Sequence, residues 1–395
     1  MKTACIVTSI RTPGCRRGKG AFKDTRPESL LSFILAKAVE MTPNLSANMV
    51  DDVMIGCSFP EAEQGLNIGR IATQIAGFPQ HVSGATVNRF CASGLEAIVQ
   101  ACMRVMVGFS DITIGGGVES MTFVPMGGNL PRPCPDYTKD HPEMYCSMGT
   151  TAENVAKRYN VTRQDQDEFA YYSHVKAAKA RDNKLFTEVV PTPASKFIEQ
   201  PGGTFVKSTF IQEVDDGIRA ETTIEGLAKL RPVFSAMGSV TAGNSSQTTD
   251  GAAATVIMSE EKAKELGLKP VAKLVGYTTV GCNPDEMGVG PRYAIPKLLD
   301  KAGLKIEDIG AFELNEAFAS QALYCMRELG MDKPGMIERV NIHGGAIALG
   351  HPLGCSGAKL CATLLANMKA KGAKYGIESM CVGGGMGAAA LFELM

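Results

Sequence analysis

The sequence repeats one figure near each end, and that repetition constrains the fold more than any other feature. The apolar run Asp111-Ile-Thr-Ile-Gly-Gly-Gly-Val118 leads into three glycines, and Ser379-Met-Cys-Val-Gly-Gly-Gly-Met386 does the same. Upstream, Cys91-Ala-Ser-Gly94 opens the first copy and Cys355-Ser-Gly357 opens the second. Between opening and strand the apolar residues take helical spacing: Leu95, Ile98, Val99, Cys102 and Met106 in one copy, Leu360, Cys361, Leu364, Leu365 and Met368 in the other. Gly94 to Gly115 is 21 residues (115 − 94), and Gly357 to Gly383 is 26 (383 − 357). A turn, a helix and a glycine-ended strand thus occur twice, which predicts two α/β halves of like topology.

The segment between the copies has a different texture. From about Ser120 to Asp250 it is polar, with Pro131, Pro133 and Pro135 in a loop and helical stretches near 150–159 and 163–182. Thr162-x-x-Asp165 supplies a capping box for the second helix. Gly251-Ala-Ala-Ala-Thr-Val-Ile-Met258 reads as a buried strand that rejoins the first half, and Lys269-Pro-Val-Ala-Lys-Leu-Val-Gly276 starts the second. The expected division is a first half at 1–119, completed by 250–268, an inserted loop domain at 120–249 and a second half at 269–395. A chain of 395 residues accommodates this, at about 150 residues per domain.

Composition excludes several classes. At 45% hydrophobic and 21% charged residues, wholesale disorder is ruled out. With 40 basic against 41 acidic side chains there is no positive surface for nucleic acid. No apolar run is read as reaching about 18 residues, so no membrane span is expected. The N-terminus reads straight into a strand without a cleavage site, which implies a soluble, cytoplasmic protein. Twelve cysteines include no Cys-x-x-Cys pair, so neither a structural metal site nor a disulfide framework is expected. The thiols are read as reduced and mostly buried, one or two of them chemically special.

Cys91 is the first candidate. It sits where a short strand gives way to a helix, whose free N–H groups and dipole favour a thiolate. Ala92, Ser93 and Gly94 leave room for a ligand at the sulfur. The competing reading, a buried structural cysteine, stays open on local grounds. The second candidate lies in Asn341-Ile-His-Gly-Gly-Ala-Ile-Ala-Leu-Gly-His-Pro-Leu-Gly-Cys-Ser-Gly357, which holds two of the five histidines. Pro352 fixes the backbone beside His351, making it the better general base, while His343 braces the loop. Cys381 stands at a strand end followed by bare glycine amides, natural donors to an oxyanion. Asn315 and Glu316, and the loop Thr241-Ala-Gly-Asn-Ser-Ser-Gln247, add weaker polar signals. Two thiols, a histidine and glycine amides suit acyl transfer coupled to carbon–carbon bond chemistry, with a thioester on one cysteine. Hydrolysis would not need the second thiol.

Five segments taken together resemble the thiolase family across nearly the whole chain. They are Asn88-Arg-Phe-Cys-Ala-Ser-Gly94, Gly115-Gly-Gly-Val-Glu-Ser-Met121, Asn315-Glu-Ala-Phe318, Gly344-Gly-Ala-Ile-Ala-Leu-Gly-His-Pro-Leu-Gly354 and Cys381-Val-Gly-Gly-Gly385, in that order. The resemblance implies an α/β fold of duplicated halves in a layered αβαβα arrangement, with an inserted loop domain. It implies that Cys91 carries the acyl group and that His351 activates it. With a water held by Asn315, His351 would form the oxyanion hole for an acetyl-CoA enolate. Cys381 would move the α-proton, and the amides of Cys91 and Gly383 would form a second oxyanion hole. Arg219, Ser246 and Met148 match positions that contact coenzyme A or the acyl chain. Coenzyme A is then a substrate, and no other cofactor is implied.

Ser147 stands where acetoacetyl-specific bacterial members have histidine, and this leans toward the degradative 3-ketoacyl-CoA thiolases of fatty acid β-oxidation. The alternative is an acetoacetyl-CoA thiolase that condenses two acetyl-CoA. Glycine at 226, where many relatives place serine, marks a difference in the coenzyme site. The resemblance further implies a homodimer or homotetramer, with room for a β-oxidation multienzyme subunit as partner. A ketoacyl synthase would pair one cysteine with two histidines, whereas Cys381 holds the place of the second base. A non-catalytic acyl-CoA-binding subunit would have lost Cys91, His351 or Cys381, and all three are present.

Overall fold

A computed structural model describes residues 1–395. Its strands are β1 (Ala4–Arg11), β2 (Cys15–Arg16), β3 (Asp52–Gly56), β4 (Ser83–Val87), β5 (Ile112–Ser120), β6 (Thr192–Glu199), β7 (Phe205–Gln212), β8 (Thr249–Ser259), β9 (Ala272–Gly281), β10 (Ala311–Leu314), β11 (Tyr375–Val382) and β12 (Met386–Leu394). In the first half the order is β4-β3-β5-β8-β1, with β3 parallel to β4 and β5 and with β8 antiparallel to both β5 and β1. The second half repeats it. A bridge at Val340 lies parallel to β10, β10 is parallel to β11, and β12 is antiparallel to β11 and β9. Same order and same senses make the duplication a matter of topology. The halves are joined edge to edge only where Cys5 and Ile6 of β1 pair with Lys273 and Ala272 of β9.

Strand periodicity separates the layers. Along β8, Ala253 and Ile257 point into a central core, while Ala252, Ala254, Val256 and Met258 point into an outer one shared with the helix Pro27–Glu40. Along β12, Ala388, Ala390 and Phe392 face the centre, and Ala389 and Leu391 face the helices Gly290–Ala302 and Ala319–Glu328. The centre is filled by the helices Ser93–Val107 and Leu353–Lys371, through Leu95, Ile98, Cys102, Leu360, Cys361 and Leu364. Helix, sheet, helix, sheet, helix is the resulting stack. The segment Phe90–Val107 has the length and apolarity of a membrane span, contrary to the sequence expectation, and most of it is buried between the sheets.

The two central helices meet at glycines. A Cβ on Gly94 would stand 2.6 Å from Ala358 N, and one on Gly357 would stand 2.3 Å from Leu95 N. The repeated Ser-Gly pair therefore exists to let the helix starts touch.

The repeated triple glycine does not mark the same place twice. Gly115, Gly116 and Gly117 lie inside β5, which runs on to Ser120 rather than ending. They are needed because a Cβ at Gly115 would meet Ile98 Cα at 2.6 Å and one at Gly117 would meet the Gly354 carbonyl at 2.6 Å. Gly383, Gly384 and Gly385 instead form the hairpin between β11 and β12, with φ of +79° and +82° at the last two. Both glycine runs are structural demands, of different kinds.

Between β5 and β8 the chain leaves the large sheet. It forms the helices Met148–Arg158 and Arg163–Asp182, close to the stretches expected, and the hairpin β6–β7. The Thr162–Asp165 capping box is present in both directions.

Candidate active site

The strand β4 ends just before a strained turn. Phe90 has φ +43°, a left-handed conformation unusual for a bulky residue. Asn88 holds it there, its Oδ1 accepting the Phe90 N–H at 2.8 Å while its Nδ2 donates to the Ser58 carbonyl at 3.0 Å. The short turn Phe90–Ala92 then feeds the helix Ser93–Val107 and presents Cys91, 5% exposed, against Met121 and Leu353.

Two backbone N–H groups favour the charged form of the Cys91 thiol, that of Gly383 and its own. Burial nonetheless dominates and pushes the thiol up to about 11, the two amides acting in the opposite sense. The lowering expected at the helix start is therefore not what the fold gives: desolvation of the charge outweighs the two amides. Gly383 comes from the β11–β12 hairpin, and its neighbour Cys381, on β11, is fully buried. Burial raises the Cys381 thiol well above its ordinary value, and the nearby Cys91 raises it further.

His351, also 5% exposed, is held by its backbone N–H, which donates to the Gln247 carbonyl at 3.1 Å and to Thr249 Oγ1 at 3.2 Å. Its Nε2 stands 3.2 Å from Asn315 Nδ2 and its Nδ1 bonds Ser356 Oγ. Burial, then Lys359, lowers its pKa to about 3, so the ring is neutral at pH 7. His343 packs edge-on against Phe186, with ring centroids 5.8 Å apart, away from this cluster.

Glu316 is a tie. Its carboxylate accepts from Asn341 Nδ2 at 2.8 Å, Ser173 Oγ at 2.6 Å and the Ile347 N–H at 3.2 Å, binding the Asn315 loop to the loop that carries His351. The loop 241–247 lies alongside both, since the Ser246 N–H donates to the Ala317 carbonyl at 2.9 Å. Arg219 lines a small cleft with His174, Ser245 and Gln247, and Ser246 lies between the last two in the chain. Met148 packs against the small apolar cluster that holds Cys381, Phe318 and Met287, and a Cβ on Gly383 would lie 3.8 Å from its sulfur.

The fold thus brings Cys91, Gly383, Cys381 and Met148 together on one side, with Asn315 and His351 paired beside Leu353. Arg219 and Ser246 stand further out, at the cleft. Sequence reading missed Glu119. It is fully buried and accepts from Ser58 N–H at 2.8 Å, Gln64 Nε2 at 2.7 Å and Gly354 N–H at 2.7 Å, pinning the start of the second central helix to the first half. The signal available was an acidic residue inside an otherwise apolar strand.

A duplicated, five-layered α/β fold with a cysteine sulfur facing two amides, a second buried cysteine and a neutral histidine defines a thiol-dependent acyltransferase. The family models "Thiolase, N-terminal domain" and "Thiolase, C-terminal domain" match residues 4–261 and 268–394. The chain belongs to the thiolase family. It is 48% identical over 395 residues to the 3-ketoacyl-CoA thiolase of Bacillus subtilis (strain 168), covering 100% of both chains. It is 43% identical to the peroxisomal 3-ketoacyl-CoA thiolase 1 of Arabidopsis thaliana, over 98% of this chain and 87% of that one. Among solved structures, the Bacillus anthracis acetyl-CoA acetyltransferase superposes with a TM-score of 0.89 at 38% identity, covering 100% and 99% of the two chains. The dimeric peroxisomal thiolase of Saccharomyces cerevisiae gives 0.87 at 38%, covering 100% and 98%.

Proposed function

We propose that this protein is a 3-ketoacyl-CoA thiolase, cleaving 3-ketoacyl-CoA with coenzyme A to acetyl-CoA and a shortened acyl-CoA in fatty acid β-oxidation. The observation that carries the reading is that the Cys91 and Gly383 amides both act on the Cys91 thiol, with Cys381 near enough to interact with it. Burial keeps Cys91 and His351 uncharged at neutral pH, so charge arises as a pair when the proton moves from one to the other.

In the reaction, Cys91 gives its proton to His351 and its sulfur attacks the 3-keto carbon. The Cys91 and Gly383 amides hold the oxyanion of the tetrahedral intermediate. The bond between the α- and β-carbons breaks, leaving the acyl group on Cys91 and an acetyl-CoA enolate. Asn315, through a water, and His351 stabilise that enolate, and Cys381 protonates its carbon. The thiol of an incoming coenzyme A then gives its proton to the Cys381 thiolate and attacks the thioester. Cys91 leaves and regains its proton from His351. Arg219 and Ser246 hold coenzyme A, the sole further reactant, and Met148 borders the acyl chain.

We read 1–119 with 250–268 and 269–395 as the catalytic halves and 120–249 as the coenzyme-binding insertion. The enzyme is read as a cytoplasmic homodimer or homotetramer, to which a β-oxidation multienzyme subunit can be added. The test is the rate of coenzyme A-dependent cleavage of four-carbon and sixteen-carbon 3-ketoacyl-CoA. Cleavage of the four-carbon substrate alone would favour the acetyl-CoA acetyltransferase reading, that of the Bacillus anthracis relative.

A further inference from the structure

From the touching helix starts to the strands that follow them, the two halves of the fold keep one offset. Gly94 and Gly357 at the touching helices, and Ile112 and Tyr375 at the starts of β5 and β11, are each 263 residues apart (357 − 94 and 375 − 112). At that offset Ser93 corresponds to Ser356, each just before its glycine. Both are buried and both back-bond their own turn. Ser93 Oγ donates to the Phe90 carbonyl at 2.6 Å and accepts the Arg89 N–H at 2.9 Å, closing the turn that presents Cys91. Ser356 Oγ donates to the Pro352 carbonyl at 3.0 Å, and its other partner is His351 Nδ1.

A hydroxyl has one proton to give. With that proton on the Pro352 carbonyl, Ser356 Oγ can only accept from the imidazole. The ring therefore carries its proton on Nδ1 and its lone pair on Nε2, the atom beside Asn315. We propose that Ser356 is the positioning residue of His351, holding the Nδ1–H tautomer so that the lone pair on Nε2, which Asn315 Nδ2 faces, is the one that takes a proton, and that it is the base-side counterpart of Ser93. The inference rests on the reading of His351 as the base. It places one copy of a duplicated serine behind the nucleophile and the other behind the base.

Removing the hydroxyl leaves Nδ1–H without its acceptor in a buried place. It also withdraws stabilisation from the imidazolium formed when Cys91 ionises. The test compares Ser356→Ala, Ser356→Thr and His351→Ala in the full-length enzyme, with thermal midpoints recorded for each. Ser356→Ala is expected to lower kcat about tenfold or more, within the range that outer partners of a functional histidine give, with KM for coenzyme A little changed. The pH midpoint for alkylation of Cys91 by iodoacetamide is expected to rise by about one unit or more, because the imidazolium is less favoured. Ser356→Thr keeps the hydroxyl and restores both readouts. Unchanged alkylation midpoint and kcat in Ser356→Ala would overturn the proposal, as would a folded Ser356→Thr no better than the alanine variant. A His351→Ala enzyme with wild-type kcat would sink the base assignment itself. Loss of activity in His351→Ala with none in Ser356→Ala would sink only the role of Ser356.

Discussion

Asn315 Nδ2 and His351 Nε2 stand 3.2 Å apart, although 36 positions separate them in the chain. Asn315 follows β10, and its own N–H donates to the Ser379 carbonyl of β11 at 2.9 Å, two residues before Cys381. His351 arrives through a glycine-rich loop and is bonded to Gln247 and Thr249, which lead into β8. The proposed acid, the proposed base and the amide between them are therefore referenced to one sheet and its neighbouring loop. A displacement of β10 against β11 would move Asn315 and Cys381 apart together with any enolate held between them. Sites built on rigid elements keep tolerances of this kind.

Cys91→Ala should abolish the acyl-enzyme. Intact-mass spectrometry after mixing with acyl-CoA should show one added acyl group on the wild type and none on the variant. An acyl group retained at wild-type level would put the nucleophile at another residue. Cys91 is nearly enclosed and alanine fills most of its volume, so the variant should fold normally.

Cys381→Ser separates the two thiols. Exchange of the α-protons of acetyl-CoA into deuterated water should slow by more than about 10²-fold, the lower bound typical of a general acid or base. Acylation of Cys91 should persist and fall less than exchange: Cys381 also gives a proton to the departing coenzyme A, but the amides at the Cys91 thiol come from Cys91 and Gly383 and are untouched. If both steps fell equally, Cys381 would be a packing residue in the cluster with Met287 and Phe318.

Much of this was legible in the sequence, for identifiable reasons. The helical spacing around Ile98 and Leu364, and the apolar run from Gly251 to Met258, report burial directly, so the halves could be read. The triple glycines misled because identical residues answered two different demands, close helix approach at Gly115 and Gly117 and a hairpin at Gly384 and Gly385. Layering was not legible, since nothing in a linear pattern says that Leu95 will touch Gly357. The state of Cys91 was misjudged because a helix start is a local feature and burial is a property of the whole fold. Glu119 and Ser356 were overlooked for the same reason: each acts on a residue distant in the chain or around a turn.

Glu313 and Glu378 face each other in register on β10 and β11, buried and of like charge. Asn367 Nδ2 donates to Glu313 at 2.8 Å, while neither oxygen of Glu378 has a partner. Burial pushes Glu313 up to about 8, and burial with Glu313 nearby pushes Glu378 well above the carboxylate range. A carboxyl raised in the folded state holds a proton that the unfolded chain releases above about pH 4.3. Its favourable contribution is complete below that pH and is lost as pH rises above it. Glu378→Gln should therefore exceed the wild-type melting temperature by more at pH 8 than at pH 5. Differential scanning fluorimetry at both pH values checks this; an equal difference at each, or a reversed one, would mean that the pair does not titrate as described.

Substrate range depends on what stands beside Met148. Ser147 is exposed, and its hydroxyl accepts the Thr150 N–H at 3.2 Å, so it is the N-cap of the helix Met148–Arg158 as well as a small neighbour of the site. Each methylene of an acyl chain that finds apolar surface contributes about 0.8 kcal/mol, so two or three of them shift kcat/KM by roughly one to two decades. Substrates of about six carbons or more should then be cleaved at least as efficiently as acetoacetyl-CoA, since no large group at position 147 crowds the chain. Ser147→His should narrow the range toward four carbons, while losing about 1 kcal/mol of helix cap. Ser147→Ala loses the same cap without adding bulk and should keep the wild-type range, which separates crowding from a loosened helix. The measurement is kcat/KM for even chain lengths in the cleavage direction across the three enzymes. A steep fall between four and six carbons in the unmodified enzyme would overturn the degradative reading in favour of acetoacetyl-CoA thiolase, and equal narrowing in both variants would assign the effect to the cap.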